Sequence, residues 1–325
     1  MADIEESSEI IETRFEWFQI LGRLGVAAAS YPLDYVKVLI QIGHEPFPPR
    51  PCRTLFGRPA LSLPGALTYM KHIKKVNGFW GLYTGLGPRL TTNFLSLSTY
   101  LIACERLPNY CDEELLKKPE SELTDEQKLL VNAHAMVKTS AARVIAIIIS
   151  HPFHVITIRT IAQFVGKEEK YCGIFGSLAE IYCSEGISGF YRGIIPRIIG
   201  ELLTIWAATT ASVLINTYVI EEDSLKGYVQ ACMNYLASAI FYPFQVVTHV
   251  VIVNDCGLKA GLPSNMPIYN GWLDCWSHLS AIGQLKRGSS LLWRYYSGPY
   301  MSSGYESSGR RVLAQAFPYS LHYKK

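Results

Sequence analysis

Ionisable side chains recur at helical spacing inside stretches that are otherwise apolar. They are Arg23, Asp34 and Lys37, then Arg143 and His154, then Arg197 and Glu201, and finally His249. Asn93, Asn234 and Gln245 fall on the same faces. The usual parts of bond-breaking chemistry are not in the sequence. It contains no G-x-S-x-G turn, no phosphate-binding glycine loop and no dinucleotide-binding glycine pattern. His151-x-x-His154 places two imidazoles at i, i+3 around a proline, with no Cys or carboxylate nearby in sequence. Metal sites bring three or four ligands, so no metal, no cofactor and no enzymatic step is expected. His134 and His249 read as partly hydrated packing rather than catalysis. What this set of residues can do is solvate. A charge at the centre of a bilayer costs about 2.5–3.5 kcal/mol even on a forgiving scale, so such groups face a water-filled cavity or one another. The lone serines beside them read rather as helix-packing contacts.

The elements that carry these residues are long helices. Of the 325 residues, 49% are apolar and 18% charged, where a soluble domain has about a quarter charged. Nineteen uncharged residues run from Leu202 to Ile220, and twenty-eight from Gly227 to Asn254; about twenty cross a bilayer. Three further segments, Glu16–Gln41, Pro88–Glu105 and Val131–Phe164, carry interior charges and rank lower by hydropathy. In each segment the polar residues form one stripe at steps of three, four and seven, for example Arg23, Ser30, Asp34, Lys37 and Gln41. Five helices with one polar stripe each make a bundle around a polar cavity. If all five span, the two termini lie on opposite sides.

The rest of the composition says less. The net charge of +3 gives no sign of a nucleic-acid partner. Eight cysteines without a C-x-x-C pair indicate free thiols. The first fifteen residues are acidic, unlike a transit peptide or a secretory signal, so targeting is expected to be internal. A proline-rich loop (Pro46–Pro64) follows the first segment, and an acidic linker spans 112–128, where Thr124 and Gln127 frame a capping box.

An internal repeat organises the chain. Tyr31-Pro32-Leu33-Asp34-Tyr35-Val36-Lys37 returns as His151-Pro152-Phe153-His154-Val155-Ile156-Thr157 and as Tyr242-Pro243-Phe244-Gln245-Val246-Val247-Thr248. Downstream, Tyr83-Thr84-Gly85-Leu86-Gly87-Pro88-Arg89 matches Tyr191-Arg192-Gly193-Ile194-Ile195-Pro196-Arg197. Each unit reads as a proline-kinked helix, a short surface helix and a second membrane helix. The units are an acidic tail (1–15), repeat 1 (16–110), repeat 2 (111–218), a truncated repeat 3 (219–294) and a flexible tail (295–325). After Arg294 no uncharged run exceeds twelve residues, so a sixth membrane helix is not expected.

The Pro-x-Asp-x-x-Lys motif around Pro32, Pro152 and Pro243 resembles the signature of the mitochondrial carrier family. That resemblance implies an all-helical, three-fold membrane bundle whose odd helices are kinked at those prolines and gated by three acid–base pairs. Here the acid positions hold Asp34, His154 and Gln245, and the base positions Lys37, Thr157 and Thr248. One ion pair cannot form a three-pronged gate, so solute exchange through degenerate gates is the weaker expectation. Gly200-Glu201-Leu202-Leu203, Tyr171-Cys172-Gly173 and Val253-Asn254-Asp255-Cys256-Gly257-Leu258 resemble the mitochondrial carrier homolog branch. The resemblance covers about Trp17 to Arg294. It implies a multi-pass outer-membrane protein that inserts tail-anchored and other helical clients. It also implies links to apoptosis through a pro-apoptotic partner, and to lipid metabolism.

Without a sixth helix the stripes would face a groove open sideways to lipid. Such a groove suits an insertase, and equally a lipid scramblase with membrane lipids as partners. Its expected lining is Arg23, Asp34, Lys37, Asn93, Arg143, His154, Arg197, Glu201, Asn234, Gln245 and His249. A third reading is a docking protein that holds cytosolic partners on its loops.

Overall fold

The computed structural model describes residues 2–53, 59–108, 124–218, 223–263 and 265–296. Helix α1 runs without interruption over Ala2–Gln41. The acidic stretch expected as a separate tail at 1–15 is thus its first turns. Carboxylates at a helix N-terminus meet the positive end of the macrodipole, which favours that outcome. After α1 come α2 (Ala66–Asn77) and α3 (Leu86–Arg106). The second repeat supplies α4 (Asp125–Gly166), α5 (Gly173–Glu185) and α6 (Ile194–Tyr218). The third supplies α7 (Asp223–Ile240), α8 (Tyr242–Val253) and α9 (Trp272–Ala281). The capping box at α4 is present, with the Thr124 N–H donating to Gln127 Oε1 at 3.1 Å.

The three prolines behave differently. Pro32 and Pro152 lie inside unbroken helices, whereas α7 and α8 meet at 52° at Phe241. Pro243 sits at the first turn of α8, where a missing N–H leaves nothing unpaired. The two repeated loops are tight for a stated reason. Gly85 (φ 88°) and Gly193 (φ 75°) are left-handed, and a Cβ there would stand 2.7 Å from Tyr31 Oη and 2.9 Å from the Thr248 carbonyl. Only glycine lets these loops press against α1 and α8.

Fold and expectation part in two places. The proline-rich loop is not loose: β1 (Arg50–Arg53) and β2 (Pro59–Leu63) pair antiparallel, with Arg50 opposite Ser62. A third strand, β3 (Arg294–Tyr295), pairs with β2, placing Arg294 opposite Leu63. The fold is therefore mostly rather than entirely helical. Pro51 lies on the edge strand and Pro59 opens its strand, the positions a sheet tolerates. The boundary drawn at 294/295 cuts β3, and the expected free tail from 297 onward lies outside the described residues.

Among the described residues no helix follows α9. Gln127–Gly166 and Ile187–Tyr218 are long and apolar enough to cross a membrane, and the bent pair α7–α8 adds a third if it crosses as one span. The helices α1 and α3, expected to complete five, are less apolar and carry interior charges. The core lies at one end of the bundle. There Tyr31, Tyr35 and Leu39 of α1 meet Val155, Ile158 and Ile161 of α4 and Val246, Val247 and Val250 of α8. Tyr69, Ile73, Cys275 and Leu279 of the surface helices close it from outside.

Candidate functional site: a polar groove sealed at one end

The seal is a chain of hydrogen bonds. Gln41, at the last turn of α1, donates from Nε2 to Tyr242 Oη at 2.8 Å. Its Oε1 then accepts from His249 Nδ1 at 2.6 Å. Tyr242 donates onward to the Arg287 carbonyl at 3.0 Å, and Arg287 Nε donates back to the Gln41 carbonyl at 2.9 Å. A helix end leaves carbonyls unpaired, and a guanidinium from the segment after α9 caps this one. That segment, residues 282–296, thus closes the sealed end where a further helix would have begun. Ala66 N–H to the Leu291 carbonyl (2.8 Å) and the Arg294–Glu45 ion pair fasten it further. Burial raises the Glu45 carboxyl above its ordinary value, against the pull of Arg294.

A carrier-type gate is not built. The base-position hydroxyls Thr157 Oγ1 and Thr248 Oγ1 each donate to their own helix, to the Phe153 and Phe244 carbonyls at 2.8 Å. Asp34 pairs with Arg89 of α3 at 3.1 Å. Lys37 lies over the Tyr242 ring, 5.3 Å from its centroid.

Towards the other end the bundle opens. The packing of α7 is on α6 and the start of α8, while α1 packs on α3, α4 and α8. Tyr228, Tyr235 and Ile240 of α7 and Val26 of α1 are exposed, each by at least 66%. Arg143 Nε reaches Glu201 at 3.7 Å, with both side chains half-exposed, and its guanidinium lies 5.4 Å from the Tyr100 ring. Glu201 therefore forms its ion pair with α4 rather than with the Arg197 one turn before it. Arg197 Nη1 contacts His151 Nδ1 at 3.0 Å, and His151 Nε2 contacts the Arg192 carbonyl at 2.9 Å.

The structure brings most of the expected residues together. Arg197 has Glu201, Arg89 and Arg143 as electrostatic neighbours; His249 has Arg89, Lys37 and Arg197. Side chains from α1, α3, α4, α6 and α8 thus converge on one space. His154 sits at its sealed end, with its ring 5.4 Å from His249 and 5.9 Å from His151. Its Nδ1 is buried without a partner among the described residues. Asn93 is half-buried on α3, and Arg23, Asn234 and Gln245 are exposed. Of these, Asn234 accepts from Gln230 at 3.4 Å. Gln41, Arg89, Tyr242 and Arg287 belong to the site and were absent from its expected lining. The first two lie on the polar stripes; nothing in the local sequence marks Arg287. Among the described residues no cluster of three His, Cys, Asp or Glu could hold a metal.

The sequence pattern of mitochondrial carrier proteins matches residues 20–114 and 131–219, which are the first two repeats. The chain belongs to the mitochondrial carrier family. It is 40% identical to human mitochondrial carrier homolog 2 over 286 residues, covering 85% of this chain and 93% of that protein. It is 36% identical to mouse mitochondrial carrier homolog 1 over 302 residues, covering 86% and 76%. A thiamine pyrophosphate carrier of Pyricularia oryzae is 28% identical over 172 residues, about half of each chain. As a member of this family the protein belongs to a mitochondrial membrane.

Proposed function

We propose that this carrier-family protein is a mitochondrial outer-membrane insertase for tail-anchored and other α-helical proteins. The observation that carries the reading is that α7 packs on α6 and α8 while α1 packs on α3, α4 and α8, beside a space where polar side chains of five helices converge. A client's polar flank crossing a bilayer meets a high barrier in hydrocarbon. In the groove it meets Asp34, Lys37, Arg89, Arg143, Arg197 and Glu201, while its apolar helix stays in lipid. No bond is made or broken. The same path suits lipid headgroups, so scrambling accompanies insertion. The sealing hydrogen bonds keep the groove from becoming a through-pore.

A second reading is a docking protein for apoptotic or metabolic partners. It draws on the ordered hairpin β1–β2 and on a cavity of about 790 Å³ beside it, lined by Phe47, Tyr269 and Trp293 among others. The deciding experiment is insertion of a labelled tail-anchored protein into liposomes carrying purified protein, against protein-free liposomes. The insertase reading expects faster insertion that changes on Lys37→Glu or Glu201→Arg. Insertion at the protein-free rate would refute it, and function lost only on deleting the hairpin would favour docking.

A further inference from the structure

The charges that converge in the groove are not balanced. Lys37, Arg89, Arg143 and Arg197 are cations; Asp34 and Glu201 are the carboxylates among them. Arg89 is matched by Asp34 and Arg143 by Glu201. Lys37 and Arg197 touch only uncharged groups directly, the Tyr242 ring and the His151 imidazole, with Asp34 and Glu201 acting on them from further off. Neither has a carboxylate within ion-pair distance among the described residues. His151, His154 and His249 stand at the same end and supply no negative charge.

We infer that the groove is charge-selective: it passes acidic and neutral hydrophilic flanks of client helices and resists basic ones. This rests on the insertase reading and narrows its substrate class. A cleft lined by one sign of charge between low-dielectric walls concentrates the opposite sign. A carboxylate on a passing flank finds Lys37 and Arg197 unmatched, and either can become its transient partner. A lysine or arginine finds only Asp34 and Glu201, and each of these already holds a guanidinium. The groove is wet at its open end, so added salt weakens the preference.

The test uses full-length protein in liposomes of zwitterionic lipid, which removes the charge of the membrane itself. Three clients share one transmembrane helix and differ only in the translocated flank, acidic, neutral or basic. Each is compared with protein-free liposomes. The expected result is about tenfold greater acceleration for the acidic than for the basic flank, the low end of what a charged cleft does to encounter rates. The preference should shrink in high salt and in Lys37→Gln. Arg197 is deeper, and its substitution risks the fold; Lys37 is the safer variant, with its melting temperature checked alongside. Equal acceleration of all three clients overturns the charge inference and leaves the insertase reading standing. Acceleration of none overturns both. A preference undiminished in a stably folded Lys37→Gln shows that this cation does not set it.

Discussion

The sealed end depends on one buried charge, and removing its partner should be costly. Arg159 of α4 has no exposed surface, and its Nη1 lies 2.7 Å from Glu185 Oε1, an ionic contact outside hydrogen-bond geometry. Nη2 donates to Glu185 Oε2 at 3.0 Å, and Nε to the Ile252 carbonyl at 3.2 Å. The same carboxylate holds Arg192 at 2.9 Å, and Arg192 donates on to the Asn254 carbonyl. One acid thus ties α4, α5 and the end of α8 together. Glu185→Gln keeps an acceptor but deletes the charge, leaving Arg159 buried and uncompensated. The expected loss is about 3–5 kcal/mol, the cost of breaking a buried pair from one side. Arg192, a third exposed, can turn to water and adds little. The double variant Arg159→Met/Glu185→Gln has no stranded charge and should be more stable than Glu185→Gln alone. Unfolding by denaturant in detergent micelles, followed by tryptophan fluorescence, measures both. A single variant within about 1 kcal/mol of wild type, the range of exposed pairs, would refute the reasoning. So would a double variant less stable than the single.

Three other outcomes are expected. The Arg143–Glu201 pair is half-exposed and 3.7 Å long, so Glu201→Gln should cost less than about 1 kcal/mol. A melting curve near wild type would then assign any change in insertion to the groove. Burial lowers the His44 and His278 imidazoles below their ordinary value. The unfolded chain therefore takes up protons first, and stability present above about pH 6.5 is lost as pH falls below it. The fall in melting temperature between pH 7.5 and 5.5 should be smaller in His44→Gln/His278→Gln. Burial also pushes the Cys275 thiol up to about 12, while Cys172 and Cys183 are exposed. Maleimide at pH 7.5 should label the latter pair and spare Cys275 until the protein unfolds, as mass spectrometry would read. Early labelling of Cys275 would mean that α9 does not stay packed.

Much of this protein is legible in its sequence because its constraints are local and periodic. Pro32, Pro152 and Pro243 mark the three repeats, and polar residues at steps of three and four fix which helix faces look inward. A run of uncharged residues declares a helix long enough for a bilayer. Beyond Arg294 the uncharged runs are too short for a further span. Even the failure of the gate was visible, in threonines where bases were expected.

What the local sequence could not declare was partner choice across the bundle. Asp34 has Lys37 one turn away yet pairs with Arg89, and Glu201 has Arg197 one turn away yet pairs with Arg143. In both cases a helix neighbour lost to a side chain from the next helix, because interhelical distance depends on how whole helices cross. Gln41 reads as one more polar residue of a stripe, and Arg287 as a loop cation, until α1, α8 and the segment after α9 are docked together. The hairpin was hidden for the same reason: six prolines between Pro46 and Pro64 argue against a strand locally. Its central strand β2 is held by β1 on one side and on the other by β3, more than two hundred residues later. The sequence determined the helices and the repeats that order them. Only the tertiary structure decided where the bundle closes, because closure is a contact between distant segments and no local period encodes it.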